Sequence, residues 1–209
     1  MSIYIPDPVV KRLPIYYRYL KETELNGQVY ISSSELARLM GLTASQVRQD
    51  VNAFGGEGRQ GCGYPVADLK KHVEQLLGIY KQKNMIIVGS GNLGRALFRH
   101  KAFAERGFIM IGLFDRRTNS AARNKKVPVK DIAELEAFTA EQRVDIAILT
   151  LPAVYAQDMA ERLYRCGIHG FWNFAPIDVQ LPKDAAVVNV HLDESLELLS
   201  YRMENPEWI

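Results

Sequence analysis

Three glycines at fixed spacing follow a short apolar run in the second half of the chain. Gly89, Gly91 and Gly94 form a Gly-x-Gly-x-x-Gly segment between a strand-like run at 85–88 and a helix-compatible run at 95–98. In nucleotide-binding folds the first glycine makes a tight turn, the second admits a pyrophosphate and the third packs helix on strand. The N–H groups at the start of the helix then meet the phosphates. The pattern predicts a nucleotide-binding loop.

An acidic residue lies where such folds accept the adenosine ribose. Residues 108–114 read as a second strand, and Asp115 follows about 20 residues after Gly94. The spacing favours a dinucleotide or a related nucleotide as the ligand.

Further strand-length apolar runs occur at 145–150, 170–173 and 187–190, and a helix pattern covers 154–166. Strands that alternate with helices are typical of a parallel sheet covered on both faces. We therefore predict an α/β fold with a Rossmann-like, doubly wound parallel sheet over residues 84–190.

The first part of the chain has a different pattern. Apolar residues recur with helical spacing over 8–25. Ser32 with Glu35, and Thr43 with Gln46, each form a potential capping box at the start of a short helix. Two short helices joined by a glycine-containing turn are typical of a helix-turn-helix.

The second of these short helices has two distinct faces. Its core-facing stripe consists of Val47, Val51 and Phe54. Its opposite face carries Ser45, Gln46, Arg48, Gln49 and Asn52. Arginine pairs with guanine edges, and glutamine or asparagine pairs with adenine. This face is therefore predicted to read double-stranded DNA, whereas an ordinary solvated face would carry Lys/Glu pairs.

A glycine-rich loop follows at 55–64, and a further amphipathic helix begins near Leu69. A β-hairpin after a recognition helix is a wing, and we expect Arg59 and Gln60 at its tip to reach phosphates or a narrow groove. The N-terminal domain is therefore predicted to be a winged helix-turn-helix.

Composition excludes several classes of protein. The chain has 209 residues, 47% hydrophobic and 24% charged, which is typical of a globular protein rather than a disordered one. No apolar run is long enough for a membrane span, and the N-terminus has no signal-peptide pattern, so we expect a cytoplasmic protein with no membrane partner. Two cysteines and four scattered histidines predict neither a disulfide framework nor a metal site. Residues 1–83 hold 11 Lys/Arg against 8 Asp/Glu, a mild positive excess.

Catalysis is not expected. A dehydrogenase needs a substrate site and an acid or base beside the transferred hydride, and residues 84–209 suffice for little more than one nucleotide-binding unit. No catalytic constellation is visible. The alternative is a small oxidoreductase, or a nucleotide- or CoA-binding enzyme subunit.

Ordered motifs along nearly the whole chain carry a family resemblance. They are Arg-Leu-Pro at 12–14, Tyr-Arg-Tyr-Leu at 17–20, Gln-Val-Arg-Gln-Asp-Val at 46–51, Gly-Cys-Gly-Tyr at 61–64, Gly-Ser-Gly-Asn-Leu-Gly-Arg-Ala-Leu at 89–97, Phe-Asp at 114–115, Pro-Ala at 152–153 and Gly-Phe-Trp-Asn-Phe-Ala-Pro at 170–176. In these motifs the chain resembles the bacterial redox-sensing transcriptional repressors of the Rex family.

The resemblance implies a homodimeric repressor that binds a palindromic operator, senses the NADH/NAD⁺ balance and is released when NADH binds. It places Gln46, Arg48, Gln49 and Arg59 at the DNA. Its implied dinucleotide site comprises Gly89, Gly91, Asn92, Leu93, Gly94 and Asp115, with Pro152, Asn173, Phe174, Ala175 and Pro176 on the nicotinamide side.

Several residues depart from the family pattern. Arg116 and Arg117 follow Asp115 where a second acidic residue is usual. Two guanidinium groups there could pair with a 2′-phosphate, which makes NADP a second candidate ligand or makes discrimination between the two cofactors weak; the alternative is that both arginines are solvated at the surface. His100 and His191 replace a tyrosine and an aspartate that the family combines with the arginine matching Arg18 in a switch between subunits. An imidazole in place of the acid removes the charge attraction to Arg18. We therefore expect an altered or weak NADH response.

The last helix carries a stripe of Leu192, Leu196, Leu199 and Met203. This stripe could pack within its own domain or be exchanged across a dimer, as the resemblance implies. The expected domains are a winged helix at 1–83, a Rossmann domain at 84–190 and a C-terminal dimerisation helix and tail at 191–209.

Overall fold

The computed structural model describes residues 4–116 and 128–205. The chain divides into two compact units, Met1–Lys81 and Gln82–Ile209, whereas the sequence placed the first boundary after residue 83. Arg117 lies outside the described residues. Of the helices in the described ranges, none is both long and apolar enough to cross a membrane.

The first unit is mainly helical. Its elements are α1 (Asp7–Leu25), β1 (Tyr30–Ile31), α2 (Ser33–Met40), α3 (Ala44–Ala53), β2 (Tyr64–Pro65) and α4 (Val66–Leu77). Strands β1 and β2 pair antiparallel. Gly41 ends α2 with a left-handed φ of 68°, a backbone conformation that favours glycine, and so makes the short turn to α3.

Local side chains set the starts of α2 and α3. The predicted capping box at Thr43 forms in full. The box at Ser32 forms only by half: Ser32 Oγ accepts from the Glu35 N–H at 3.1 Å, but the Glu35 carboxylate accepts from Gln28 Nε2 at 3.0 Å. This part of the prediction was wrong because Gln28, beyond the start of the helix, supplies a competing donor.

The predicted stripe of α3 lies in the core of the first unit. Val47, Val51 and Phe54 are fully buried, together with Tyr16 and Leu20 of α1. The Tyr16 and Phe54 rings meet edge to face with centroids 5.6 Å apart. Burial of this apolar face fixes which side of α3 remains at the surface.

The second unit alternates strands and helices. Its elements are β3 (Lys83–Val88), α5 (Asn92–Phe98), β4 (Phe108–Asp115), β5 (Lys130–Asp131), α6 (Leu135–Glu141), β6 (Ile146–Leu149), α7 (Ala153–Arg165), β7 (Gly170–Asn173), β8 (Ala186–Asn189) and α8 (Leu192–Glu204), with short 3₁₀ helices at Lys101–Arg106 and Ile132–Glu134.

The six strands described in the second unit are all parallel, in the order β5-β4-β3-β6-β7-β8. Buried apolar clusters lie on both faces of the sheet. The predicted doubly wound, Rossmann-like sheet is confirmed. The strand order reverses between β3 and β6, and a crevice at such a point, beyond the carboxyl ends of the strands, is where these sheets bind ligands.

Helix α8 buries none of its described residues. Its predicted stripe, Leu192, Leu196, Leu199 and Met203, is 53–70% exposed. The stripe is therefore not packed against its own unit, which was one of the two alternatives.

Candidate functional site

Helix α3 is held in the first unit by a buried carboxylate. Asp50 is 3% exposed. Its two oxygens accept from Arg12 Nε at 2.7 Å and Arg12 Nη2 at 2.6 Å, and the Tyr16 hydroxyl donates to it at 2.9 Å. Burial and this hydrogen bond raise the pKa of Tyr16, and the neighbouring carboxylate raises the pKa of Arg12. The network ties α3 to α1.

The outward face of α3 is open. The five side chains predicted to read DNA, Ser45, Gln46, Arg48, Gln49 and Asn52, are all exposed. Arg48 Nη1 donates to Ser33 Oγ of α2 at 3.1 Å, which orients the guanidinium at the surface. The geometry therefore presents a polar, donor-rich helix on an anchored support, as groove recognition requires.

Gln46 was predicted both to cap α3 and to read DNA, and the structure shows that the two roles compete for the same amide group. Its Oε1 accepts from the Thr43 N–H at 3.0 Å and from the Thr43 hydroxyl at 3.1 Å. Pairing with adenine uses both the oxygen and the amino group of a glutamine. Base reading by Gln46 would have to open the cap, which leaves Gln49 and Asn52 as the more available amides.

The predicted wing is a minimal hairpin. Arg59 and Gly63 form a single antiparallel bridge, and the turn lies between them. Gln60 lies in this turn, whereas Arg59 lies at its base rather than at its tip. Arg59 Nη1 donates to the Tyr30 hydroxyl at 2.7 Å. The glycine-rich stretch contains only one β-bridge, because β2 pairs with β1 and not with a long wing strand.

In the second unit the glycine loop has the geometry that its spacing predicted. Gly89 has a φ of 111°. A Cβ on Gly94 would collide with the Gly89 carbonyl oxygen, whereas a Cβ on Gly91 would meet nothing within 4 Å. The Thr150 hydroxyl donates to the Gly89 carbonyl at 2.8 Å and fixes the loop to the end of β6. The close packing at Gly94 and the open space at Gly91 fit a loop that a pyrophosphate approaches.

A cleft of about 1250 Å³ opens at the carboxyl ends of β3, β4 and β6. Its lining includes Gly89, Gly91, Asp115, Arg116, Pro152 and Tyr155. This volume exceeds the roughly 300–1,000 Å³ of common small-molecule sites, and is therefore sufficient for a dinucleotide. Asn92 and Leu93 begin α5 directly after the loop, the first exposed and the second half-buried.

Asp115 and Arg116 are oriented differently. Asp115 Oδ2 accepts from the Ser90 N–H at 2.6 Å, so this oxygen holds the glycine loop. The guanidinium of Arg116 lies over the Tyr155 ring, 5.4 Å from its centroid. Arg116 is exposed, as the alternative of solvated arginines expects, and it also lies over an aromatic ring at the wall of the cleft.

Of the residues predicted on the nicotinamide side, Pro152 lines this cleft, whereas residues 173–176 are not among its lining residues. Asn173 is fully buried; its amide donates to the Ile177 carbonyl at 2.7 Å and to Asn189 Oδ1 at 2.9 Å. Its own oxygen accepts from the Ala175 N–H at 3.0 Å. Asn173 therefore shapes the loop after β7 rather than offering a polar group to a ligand.

The neighbours of Asn173 differ in exposure. Phe174 is half-buried beside Trp172, with ring centroids 4.7 Å apart; Ala175 is buried and Pro176 exposed. Their predicted contact with a ligand stays a prediction.

The three residues of the predicted subunit switch have separate partners. Arg18, in the first unit, lies over the Tyr19 ring at 4.7 Å. His100 meets Phe103 edge to face at 4.7 Å. His191 Nε2 lies 2.8 Å from Asp178 Oδ1, and this hydrogen bond raises the pKa of His191. Position 191 has a histidine in place of the expected aspartate, but Asp178 supplies a carboxylate next to it.

Sequence reasoning missed Asp50 and Tyr155. Asp50 lies on the same helix face as the buried Val47 and Val51, and a carboxylate in a core stripe needs a buried partner. That was a usable signal. Tyr155 gave no signal of its own, because its contact is with Arg116, which follows β4 and is distant from Tyr155 in sequence.

Comparison with known proteins places these features in context. Residues 4–52 match the family described as "Putative DNA-binding protein N-terminus" and residues 80–177 match "CoA binding domain". A protein of Thermoanaerobacter sp. (strain X514), "Redox-sensing transcriptional repressor Rex", is 46% identical over 200 residues, which are 95% of this chain and 89% of the relative.

Two solved structures of the protein RSP are also similar. RSP in complex with β-NAD⁺ and operator DNA has a TM-score of 0.88 at 43% identity, covering 99% of this chain and 96% of RSP. RSP in complex with β-NADH has a TM-score of 0.87 at 42% identity, covering 99% and 98%.

Proposed function

The chain belongs to the Rex family of redox-sensing transcriptional repressors, and we propose that it binds operator DNA as a homodimer and leaves the operator when NADH occupies its cleft. The observation that carries this proposal is the combination, in one chain, of an anchored helix with an open polar face and a dinucleotide-sized cleft. A repressor acts at the chromosome, so we also propose a cytoplasmic location.

Helix α3 provides the DNA-binding face. Arg48, Gln49 and Asn52 would contact base edges, while Ser45 and the wing residues Arg59 and Gln60 would contact the backbone. Similarity to RSP, solved with operator DNA, supports this assignment. Two-fold symmetric proteins read palindromic sites with half-sites one helical turn apart, or a multiple of it.

The cleft provides the sensor. The backbone at Gly91 leaves room for a pyrophosphate, and Asp115 stands at the adenosine end. When bound, the dinucleotide supplies the redox signal. It can release DNA only if it binds one arrangement of the dimer better than the other.

The exposed stripe of α8 supports the homodimer. Four large apolar side chains on one exposed face, Leu192, Leu196, Leu199 and Met203, form a patch of the kind that marks protein–protein contacts. We propose that a second copy of this chain covers it, by exchange of α8 between subunits.

A gel shift on a palindromic operator tests the function. The full chain is expected to shift the duplex in the absence of nucleotide and with NAD⁺, and to release it as NADH is added. Release at micromolar NADH, as an order of magnitude, would remove the expectation that His100 and His191 weaken the response. No shift of any duplex at low ionic strength would refute the proposal, and turnover of NADH with an added substrate would favour the enzyme alternative.

A further inference from the structure

We propose that the cleft accepts a 2′-phosphorylated dinucleotide, NADP⁺ or NADPH, and that Arg116 determines this specificity. The inference rests on the proposed function, because it concerns the ligand of the same cleft. Its chemical content is a phosphate group on the adenosine ribose, recognised by a guanidinium held in place by an aromatic ring.

Arg116 lies at the position where the adenosine ribose is read. It follows Asp115 at the carboxyl end of β4, the strand next to β3, and it lines the cleft together with Gly91. In doubly wound sheets an acidic side chain at this place binds the 2′-hydroxyl, and a nearby arginine accommodates a 2′-phosphate. This chain has both residues side by side.

Asp115 is committed to the protein. Its Oδ2 accepts from the Ser90 N–H at 2.6 Å, within the loop between Gly89 and Gly91. That oxygen is turned toward the loop and has one hydrogen bond already. A carboxylate that points at the ribose repels a 2′-phosphate. Because this oxygen of Asp115 points at the loop instead, that repulsion is reduced.

The Arg116 guanidinium, in contrast, is not neutralised by an ion pair with a described side chain. Over residues 4–116 and 128–205, no carboxylate forms an ion pair with it. Arg162 also lines the cleft, but Glu136 accepts two hydrogen bonds from it, at 2.5 and 2.6 Å. Of these two arginines, Arg116 is therefore the one that can take a phosphate.

Tyr155 orients this guanidinium. The Arg116 Cζ lies 5.4 Å from the Tyr155 ring centroid, a distance typical of a cation over an aromatic face. A guanidinium over an aromatic face keeps its N–H donors available for a bidentate contact with phosphate oxygens.

Asp158 acts against this preference. It lies on α7, close in sequence to Tyr155, and it lines the same cleft. A negative charge there repels a phosphate, so the proposal requires the contact with Arg116 to exceed this repulsion. It also follows that Asp158→Asn should favour the phosphorylated ligand.

Equilibrium binding to the full chain tests the proposal with two matched ligand pairs: NADPH against NADH, and adenosine 2′,5′-bisphosphate against 5′-AMP. The second pair isolates the adenosine end. We expect NADPH to bind within about tenfold of NADH or more tightly, and the bisphosphate to bind at least about tenfold more tightly than 5′-AMP. Arg116→Ala should weaken the two phosphorylated ligands about tenfold or more and change NADH less than threefold. Asp158→Asn should strengthen them.

Arg165→Ala removes an exposed arginine of α7 that does not line the cleft, and serves as the matched control. Unchanged NADH binding shows that each variant is folded. The inference is overturned if the wild-type chain binds NADH but binds NADPH more than tenfold more weakly, or if Arg116→Ala weakens both dinucleotides equally. If neither NADH nor NADPH binds, the dinucleotide-sensing function fails as well, and the two failures are thereby distinguished.

Discussion

Replacement of Asp50 by asparagine is expected to destabilise the first unit and to weaken DNA binding together. The carboxylate receives two hydrogen bonds from Arg12 and one from Tyr16 while 4% of its side chain is exposed. Removal of one partner of a buried ion pair costs about 3–5 kcal/mol. Arg12 is 27% exposed and regains some hydration, and asparagine still accepts one hydrogen bond. We therefore expect a loss of about 2–4 kcal/mol.

Urea unfolding followed by circular dichroism measures this loss, because the first unit is largely helical. Residues 1–81 contain no tryptophan, and Trp172 lies on β7 of the second unit, so tryptophan fluorescence should report an unchanged transition. Asp68→Asn makes the same chemical change at an exposed site and should cost less than about 1 kcal/mol. If Asp50→Asn costs no more than this control, the network does not hold α3.

Tyr16→Phe is the milder test of the same network and adds a pH dependence. It removes one hydrogen bond to a charged group, which is worth about 1.5–3 kcal/mol. Burial first, and the bond to Asp50 second, raise the pKa of Tyr16 above its usual value. Above about pH 10 the unfolded chain releases the phenolic proton while the native chain keeps it. Stability should therefore fall as the pH rises past 10, and Tyr16→Phe should flatten that decline.

Other features give further expected outcomes. Arg48→Ala should weaken operator binding by about 1–3 kcal/mol, measured by gel shift, and leave NADH binding unchanged. Gly94→Ala should reduce both thermal stability and NADH affinity, because its Cβ meets the Gly89 carbonyl; Gly91→Ala has free space and should reduce NADH affinity alone, measured by calorimetry. NMR titration should give a raised pKa for His191, lowered by Asp178→Asn; the contribution of this pair to stability is present below about pH 6.5 and lost as the pH rises through the raised pKa. Equal thermal losses in both glycine variants, or an ordinary pKa for His191, would contradict these expectations.

The parts of the structure that sequence reasoning predicted are those fixed by neighbours along the chain. Thr43 and Gln46 are three residues apart, and their mutual hydrogen bonds set the start of α3. The glycine spacing of the nucleotide loop is equally local, and so is the alternation of strands and helices that yields the parallel sheet. Local patterns of this kind depend on backbone geometry and helix period alone.

The parts that were missed depend on contacts between distant segments. Arg12 and Asp50 are separated by 38 positions, and the sequence around either residue does not indicate that they form a pair. Asn173 resembled a ligand contact within its motif, but its amide is used up by Ile177 and Asn189, which only the folded loop brings to it. A polar side chain in a motif is therefore assigned to ligand or to scaffold only after its hydrogen bonds are counted.

The same count links the two halves of the proposed mechanism. On α3, Asp50 is spent on the scaffold and Arg48 remains at the surface; in the cleft, Asp115 is spent on the glycine loop and Arg116 remains on the wall. In both places a carboxylate is engaged in hydrogen bonds within the protein. We propose that the neighbouring arginine contacts a base on α3 and a phosphate in the cleft. Loss of the carboxylate should therefore affect folding and binding together, whereas loss of either arginine should affect binding alone.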